Sequence, residues 1–260
     1  MLIAIDRSWR IFGTGLAIGM FYLGCLFGGP VLIGFAIVAF RSADRRSRFL
    51  QRAFQRSFAV YELVVVHLLG LLTVEAKGFD TVREPSGRLI LANHPTLLDV
   101  VLLIARQRSV DCVVKEALFQ SIFTRACVGA AGYVPNADGR TVIDASIARL
   151  LAGRDVLLFP EGTRSPQHGL RGFQRGAARI ALASGCDVVP VFIECNPVML
   201  TKESKWYQVP HLRPHYRLRV GEPIQIHRHV SAGLSRPAAV RALTAAFEGL
   251  FDREILHEPS

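Results

Sequence analysis

Leu89-Ile90-Leu91-Ala92-Asn93-His94-Pro95-Thr96-Leu97-Leu98-Asp99 changes character in its middle. Leu89 to Ala92 is an apolar run of strand length, and Pro95 suits a first helical position, so a strand over Leu89–Ala92 and a helix over Thr96–Gln107 are predicted. Working outward, β-rich runs recur at Val110–Val114, Val156–Phe159, Val188–Glu194, Tyr216–Val220 and Ile224–Ile226. Helical patterns fall between and after them, near Glu116–Cys127, Val142–Ala152, Phe173–Ser184 and Pro237–Leu256. Strands alternating with helices predict an α/β fold, a mixed sheet flanked by helices.

The N-terminal part reads differently. Ile11 to Phe40 holds no charged residue, and as one helix it would be roughly 45 Å long against a hydrocarbon core of about 30 Å. Gly28, Gly29 and Pro30 lie near its middle, where a helix can break. Arg7 and Arg10 precede the run, and Arg41, Arg45, Arg46 and Arg48 follow it, so the positive flanks place both ends on the same side. A membrane-embedded helical segment is predicted, either a re-entrant hairpin turning at Gly28–Pro30 or a tilted single span. A secretory signal is disfavoured, since its apolar core runs to about 7–15 residues and no small-residue cleavage site followed by a neutral stretch is seen. Residues 41–58 set Phe49, Leu50, Ala53, Phe54 and Phe58 among Arg45, Arg48, Arg52 and Arg56, a helix for the lipid surface or for packing on the following domain. Phe58 to Val74, apolar but for Glu62 and His67, reads as a core or interfacial helix. The expected division is an anchor over 1–57 and a catalytic domain over 58–260.

Charge supports lipid rather than nucleic acid. The chain carries 31 Lys and Arg against 21 Asp and Glu, a net +10, with a hydrophobic fraction of 50%. Within residues 1–57, eight Arg face only Asp6 and Asp44, so six of the ten excess charges lie beside the longest apolar run. Positive charge at the end of an apolar segment suits anionic lipid. The interleaved basic and aromatic surface of a nucleic-acid binder is missing from the second half. Five cysteines, Cys25, Cys112, Cys127, Cys186 and Cys195, form no C-x-x-C pair; they read as reduced thiols, with neither a disulfide framework nor a zinc site.

Two clusters carry chemistry. In Asn93-His94-Pro95-Thr96-Leu97-Leu98-Asp99 an imidazole and a carboxylate five residues on can meet across a helix start; the carboxylate fixes the tautomer of His94, which can then accept a proton from a hydroxyl. Phe159-Pro160-Glu161-Gly162-Thr163-Arg164-Ser165, at another strand end, combines a glycine, a hydroxyl and a guanidinium, the parts of an anion cradle. Glu161 either orients an acceptor's hydroxyls or holds this loop. Lys115, at a third strand end, is a candidate phosphate contact or a solvated strand end. Phe119, Ile122, Phe123 and Val128 read as core or as the lining of an acyl groove. No G-x-S-x-G elbow is present, and no cysteine lies near His94 to act as nucleophile.

Together with Val189-Pro190-Val191, these clusters resemble, in order and spacing, the glycerolipid acyltransferase family, the lysophosphatidic acid acyltransferases and their relatives, over about residues 85–225. The resemblance implies direct attack of a lysophosphatidate hydroxyl on acyl-CoA or acyl-carrier protein as co-substrate, with no acyl-enzyme, no cofactor and no metal. It implies His94 as general base, Asp99 as its partner, and Glu161, Gly162, Thr163 and Arg164 around the acceptor. It implies a membrane lipid acceptor as partner, and an inner (cytoplasmic) membrane protein whose catalytic domain faces the cytoplasm. One departure stands out: many members carry an acceptor-binding arginine after a glycine and a short apolar run, whereas Gly132-Tyr133-Val134-Pro135-Asn136-Ala137-Asp138-Gly139-Arg140 places its arginine later. That keeps open another lysolipid, or a specialised hydroxylated or amino lipid, as acceptor. An anionic-lipid-binding module without catalysis is the alternative from a different class.

Overall fold

The computed structural model describes residues 2–166, 169–226 and 234–256. Seven strands form one mixed sheet: β1 (Thr73–Lys77), β2 (Leu89–Ala92), β3 (Asp111–Lys115), β4 (Val134–Asn136), β5 (Val156–Leu158), β6 (Val188–Asn196) and β7 (His215–Val220), in the spatial order β1-β7-β6-β2-β5-β3-β4. β7 is antiparallel to β6 and parallel to β1, so β1 and β7 run against the other five. The C-terminal ends of β2, β5, β3 and β4 therefore open on one edge of the sheet.

Alternating residues of the central strands feed two cores, as the period of two requires. Ile90 and Ala92 of β2 and Leu157 of β5 join one core with Leu50 and Phe54 from α3 (Ala43–Leu63) and Leu102 and Leu103 from α4 (Asp99–Arg106). Leu89, Leu91 and Val156 join the other with Val142 of α7 (Gly139–Leu151), Ile180 of α8 (Gly176–Ser184) and Phe247 of α9 (Arg236–Leu256). Short helices α5 (Ala117–Gln120) and α6 (Arg125–Ala130) connect β3 to β4. Both faces of β2 are covered, which is why its four residues are apolar without alternation.

The expected turn at Gly28–Pro30 is not there. α1 (Leu2–Leu23), a π-helical segment (Gly24–Gly28) and α2 (Gly29–Ala39) form one unbroken helix, and the Gly29 amide donates to the Gly24 carbonyl. A wider i→i−5 turn accommodates Pro30, which has no N–H to give and whose ring would crowd a regular turn. The chain reverses instead at Phe40–Ser42, both of them extended, and α3 runs back. Phe35 meets Phe49 at 5.5 Å and Phe21 stacks on Phe58 at 6.1 Å, while Tyr61 donates to the Ala17 carbonyl at 3.1 Å. The expected re-entrant hairpin is thus overturned: the apolar run is one continuous helix, the geometry of the single-span alternative, and the hairpin that does form has the arginine-bearing helix as its second arm. That helix also runs on without interruption past residue 57, the boundary expected between anchor and catalytic domain.

Ile5–Ala39 is long and apolar enough to cross a membrane. It nevertheless rests along the sheet domain. Arg10, fully buried, donates to the carbonyls of Pro210, His211 and Leu212 and to Asp6. Trp9 donates to the Leu69 carbonyl at 2.9 Å, and further along the helix Gly29 lies so close to Cys127 that a Cβ would collide with its sulfur. The opposite side of the helix is exposed and apolar, with Phe12, Leu16, Phe27 and Val31 uncovered.

β1 and β4 are strands the sequence reading missed, and the stretch expected as strand Ile224–Ile226 is only an isolated bridge from Ile224 to Val188. β1 continues an apolar run that reads as helix; it is a strand because its five residues pair with β7. Glu62, in that same run, forms a two-pronged pair with Arg106 of α4 at 2.6 and 2.7 Å.

Candidate active site

β2 ends at Ala92, and Asn93 extends its ladder by one step with a side chain. The Asn93 amide donates to the Ile193 carbonyl at 2.7 Å and accepts from the Ile193 amide at 2.8 Å. The backbone of His94 is thereby released to leave the sheet. Its amide donates to Glu161 Oε1 at 3.0 Å, and its carbonyl accepts from the Ser165 amide at 2.7 Å. The two motifs are thus laced together at the C-terminal ends of adjacent strands β2 and β5.

His94 Nδ1 lies 2.8 Å from Asp99 Oδ2. Asp99 is completely buried at the start of α4; it also accepts from the Thr96 amide at 2.7 Å and the Thr96 hydroxyl at 2.6 Å. Tyr216, buried near the start of β7, donates to Thr96 Oγ1 at 3.0 Å. Burial pushes the Tyr216 phenol well above its ordinary range, so it is a permanent donor. Tyr216 orders Thr96, Thr96 orders Asp99, and Asp99 orders the imidazole. With Nδ1 committed to the carboxylate, Nε2 is the nitrogen left to exchange a proton. The imidazole also stacks on Phe159, ring centres 4.3 Å apart, and its side chain is 16% exposed, enough to be reached from outside.

The second loop is equally organised. Glu161 is buried, and its carboxylate takes three protein donors: the His94 amide, the Ser165 hydroxyl at 2.6 Å and the Arg171 amide at 2.9 Å. Of the two uses open to Glu161, holding the loop is the one this geometry displays. Gly162 has φ +69°, a backbone conformation that favours glycine, and its Cα faces the Gln174 side chain. Thr163 Oγ1 is enclosed and has no hydrogen-bond partner among the described residues. Arg164 donates through one nitrogen to the carbonyls of Leu200 at 2.8 Å and Thr201 at 2.7 Å. Lys115 is exposed at the end of β3, on the same edge as His94 and two strands away, roughly 10 Å by strand spacing. The expected residues therefore share one edge of the sheet. Arg140 opens α7 with its side chain 91% exposed, 4.0 Å from Asp144.

Asn93, Thr96, Ser165 and Tyr216 were not singled out from the sequence as site residues. Thr96-Leu97-Leu98-Asp99 does carry a signal, the T-x-x-D signature of a helix start with reciprocal bonds. Nothing near Tyr216 in the sequence points to residue 96; only the sheet brings them together.

The family model for acyltransferases matches residues 73–194, from the first residue of β1 into β6, with both motifs inside. Residues 73–194 are thus similar to the acyltransferase family, a match over a little under half of the chain. Relatives of this domain include the chloroplastic 1-acyl-sn-glycerol-3-phosphate acyltransferase of Arabidopsis thaliana, 27% identical over 140 residues, or 52% of this chain and 37% of that protein. Another, from Chlamydomonas reinhardtii, is 34% identical over 39% of this chain and 32% of its own length. The 1-acyl-sn-glycerol-3-phosphate acyltransferase of Borreliella burgdorferi is 26% identical over 44% of this chain and 48% of that one. Each match thus spans less than half the length of the relative. The crystal structure of the 1-acyl-sn-glycerophosphate acyltransferase PlsC from Thermotoga maritima superposes with a TM-score of 0.72 over 99% of both chains at 17% identity. At that identity the likeness is one of fold, and it extends beyond residues 73–194 to the helical hairpin.

Proposed function

We propose that the chain transfers a fatty acyl group from a thioester donor to the free hydroxyl of lysophosphatidate. The observation that carries this reading is the buried Asp99 held on His94 Nδ1 at 2.8 Å, beside the loop that carries Arg164. Nε2 of His94 takes the proton of the acceptor hydroxyl as its oxygen attacks the thioester carbonyl. The tetrahedral adduct collapses, the C–S bond breaks, and the proton passes to the departing thiolate. Asp99 stabilises the imidazolium between those two transfers. Arg164 and Lys115 meet the acceptor's phosphate and polar end, while Thr163, whose hydroxyl is enclosed, shapes the loop. The names of the relatives, 1-acyl-sn-glycerol-3-phosphate acyltransferases, support this acceptor.

The hairpin sets where the acceptor comes from. Helix 2–39 is held to the sheet domain near Arg10 and again near Gly29, so it enters lipid along its exposed flank with the domain beside it. Arg41, Arg45, Arg48, Arg52 and Arg56 are exposed nearby and suit the anionic headgroups of a cytoplasmic membrane face. One observation favours a different lysolipid as the second reading: Arg140 stands away in solvent instead of replacing the arginine of the common pattern.

The test is acyl transfer by membranes carrying wild type or His94→Ala, given long-chain acyl-CoA or acyl-carrier protein with lysophosphatidate, a phosphate-free analogue and other lysolipids. Product from lysophosphatidate, lost in the variant, is expected. Undiminished product in His94→Ala would overturn the mechanism; His94-dependent product from another acceptor alone would move the acceptor assignment.

A further inference from the structure

Between α7, α8 and α9, on the sheet face away from the hairpin, lies a pocket of about 380 Å³. Arg175, Arg179, Arg236 and Arg241 line it, with Ile143 and Val240 as apolar walls. All four arginines are exposed, and none makes an ion pair with a described residue. The segments that carry them hold no acid: residues 162–186 contain no Asp or Glu, and neither do residues 223–247; on α7, Asp144 lies 4.0 Å from Arg140. Four guanidiniums gathered around one concavity repel one another unless an anion joins them. The arrangement calls for a ligand with several negative charges.

The volume falls within the range of small-molecule sites, roughly 300–1,000 Å³, and a concavity suits a small anion better than the broad face of a protein. Guanidinium planes also stack on flat rings while their N–H forks hold phosphate. The pocket adjoins the catalytic loop: Arg175 follows Gln174, whose amide donates to the Pro160 carbonyl at 2.8 Å and whose side chain lies against Gly162. We propose that this pocket binds the phosphorylated nucleotide head of a coenzyme A thioester, leaving its acyl-bearing arm to run past Gln174 to His94. The proposal rests on the acyltransferase reading above and assigns its donor. Acceptor and donor then approach from opposite faces of the sheet, the lipid beside the hairpin and the water-soluble carrier opposite it.

The purified full chain, titrated calorimetrically with adenosine 3′,5′-bisphosphate, tests the site without requiring turnover. Binding by wild type should weaken at least about tenfold in Arg175→Gln/Arg179→Gln and in Arg236→Gln/Arg241→Gln, since charge-assisted hydrogen bonds are lost. In steady-state assays the KM for palmitoyl-CoA should rise in parallel, with kcat and the lysophosphatidate KM unchanged. Equal nucleotide affinity in wild type and variants, or no binding by wild type, would overturn the proposal. A kinetic defect seen only with acyl-carrier protein would do so too, by making the patch a protein dock. Arginine-dependent nucleotide binding without acyl transfer to any acceptor would leave the pocket standing and sink the acyltransferase reading instead.

Discussion

The amide of His94 donates to Oε1 of Glu161 across 3.0 Å, so the first motif is positioned by the carboxylate of the second. Glu161 is a positioning residue in this arrangement. Glu161→Ala leaves the His94 amide, the Ser165 hydroxyl and the Arg171 amide without their acceptor, and kcat should fall about 100-fold through misplacement of the imidazole. Glu161→Gln keeps an acceptor oxygen for His94 but turns a donor on one partner, and should fall in between. A rise in acceptor KM with kcat intact, in both variants, would instead place Glu161 on the substrate.

The same logic grades the chain behind Asp99. Thr96→Val removes the hydroxyl that donates to Asp99 Oδ1 and accepts from Tyr216, leaving one carboxylate oxygen without its partner and the buried phenol with only the Cys195 thiol. Turnover should drop about tenfold or more. Tyr216→Phe removes only the outermost donor and should cost a few-fold at most. Equal losses in the two variants would contradict the order of the relay.

These two residues also mark where sequence reading stops. Both chemical motifs, the α/β class and most strands are legible because each is local: an apolar run of strand length followed by Pro95, or a glycine at a loop that needs positive φ. His94, Asp99, Glu161, Gly162, Thr163, Arg164 and Lys115 fall on one edge of the sheet as a consequence of parallel strand order. Tyr216 is 120 residues from Thr96, and no spacing rule spans that distance. The hairpin was misread for a different reason. Gly28-Gly29-Pro30 is a legitimate breaking signal, yet a π turn can absorb a proline, while the true reversal at Phe40–Ser42 contains neither glycine nor proline.

Arg10 should prove a structural anchor. Its guanidinium is fully buried and holds three successive carbonyls, those of Pro210, His211 and Leu212. Arg10→Met preserves the apolar stem and strands those carbonyls, at a cost of about 2–3 kcal/mol. A lowered melting temperature in detergent, with the acceptor KM unchanged, is expected; an unchanged melting temperature would show that the hairpin docks without this contact.

Asp138 caps α7, accepting from the Thr141 amide at 3.2 Å, and that bond holds its carboxyl below the usual range. A depressed carboxylate stabilises the fold above its unfolded pKa, and the contribution fades as pH falls through the folded one. Asp138→Ala should therefore melt below wild type at neutral pH, with the difference closing in acid. A difference that persists in acid would mean that the cap does not act through its charge.

Arg164 joins two duties in one side chain. One nitrogen braces the carbonyls of Leu200 and Thr201, and the Leu200 carbonyl also accepts from the Leu97 amide, next to the His94 turn. The rest of the fork faces no described partner and suits a phosphate. Arg164→Ala should thus show two separable defects. Loss of the phosphate contact raises the lysophosphatidate KM about tenfold or more and spares a phosphate-free acceptor. Loss of the brace loosens the turn that carries the base, and lowers kcat for both acceptors alike. A variant impaired only in KM would reduce the contact with Leu200 and Thr201 to a resting position, and one impaired only in kcat would remove Arg164 from the acceptor site. Both defects together are the signature of a residue that binds the phosphate and fixes the distance from it to His94.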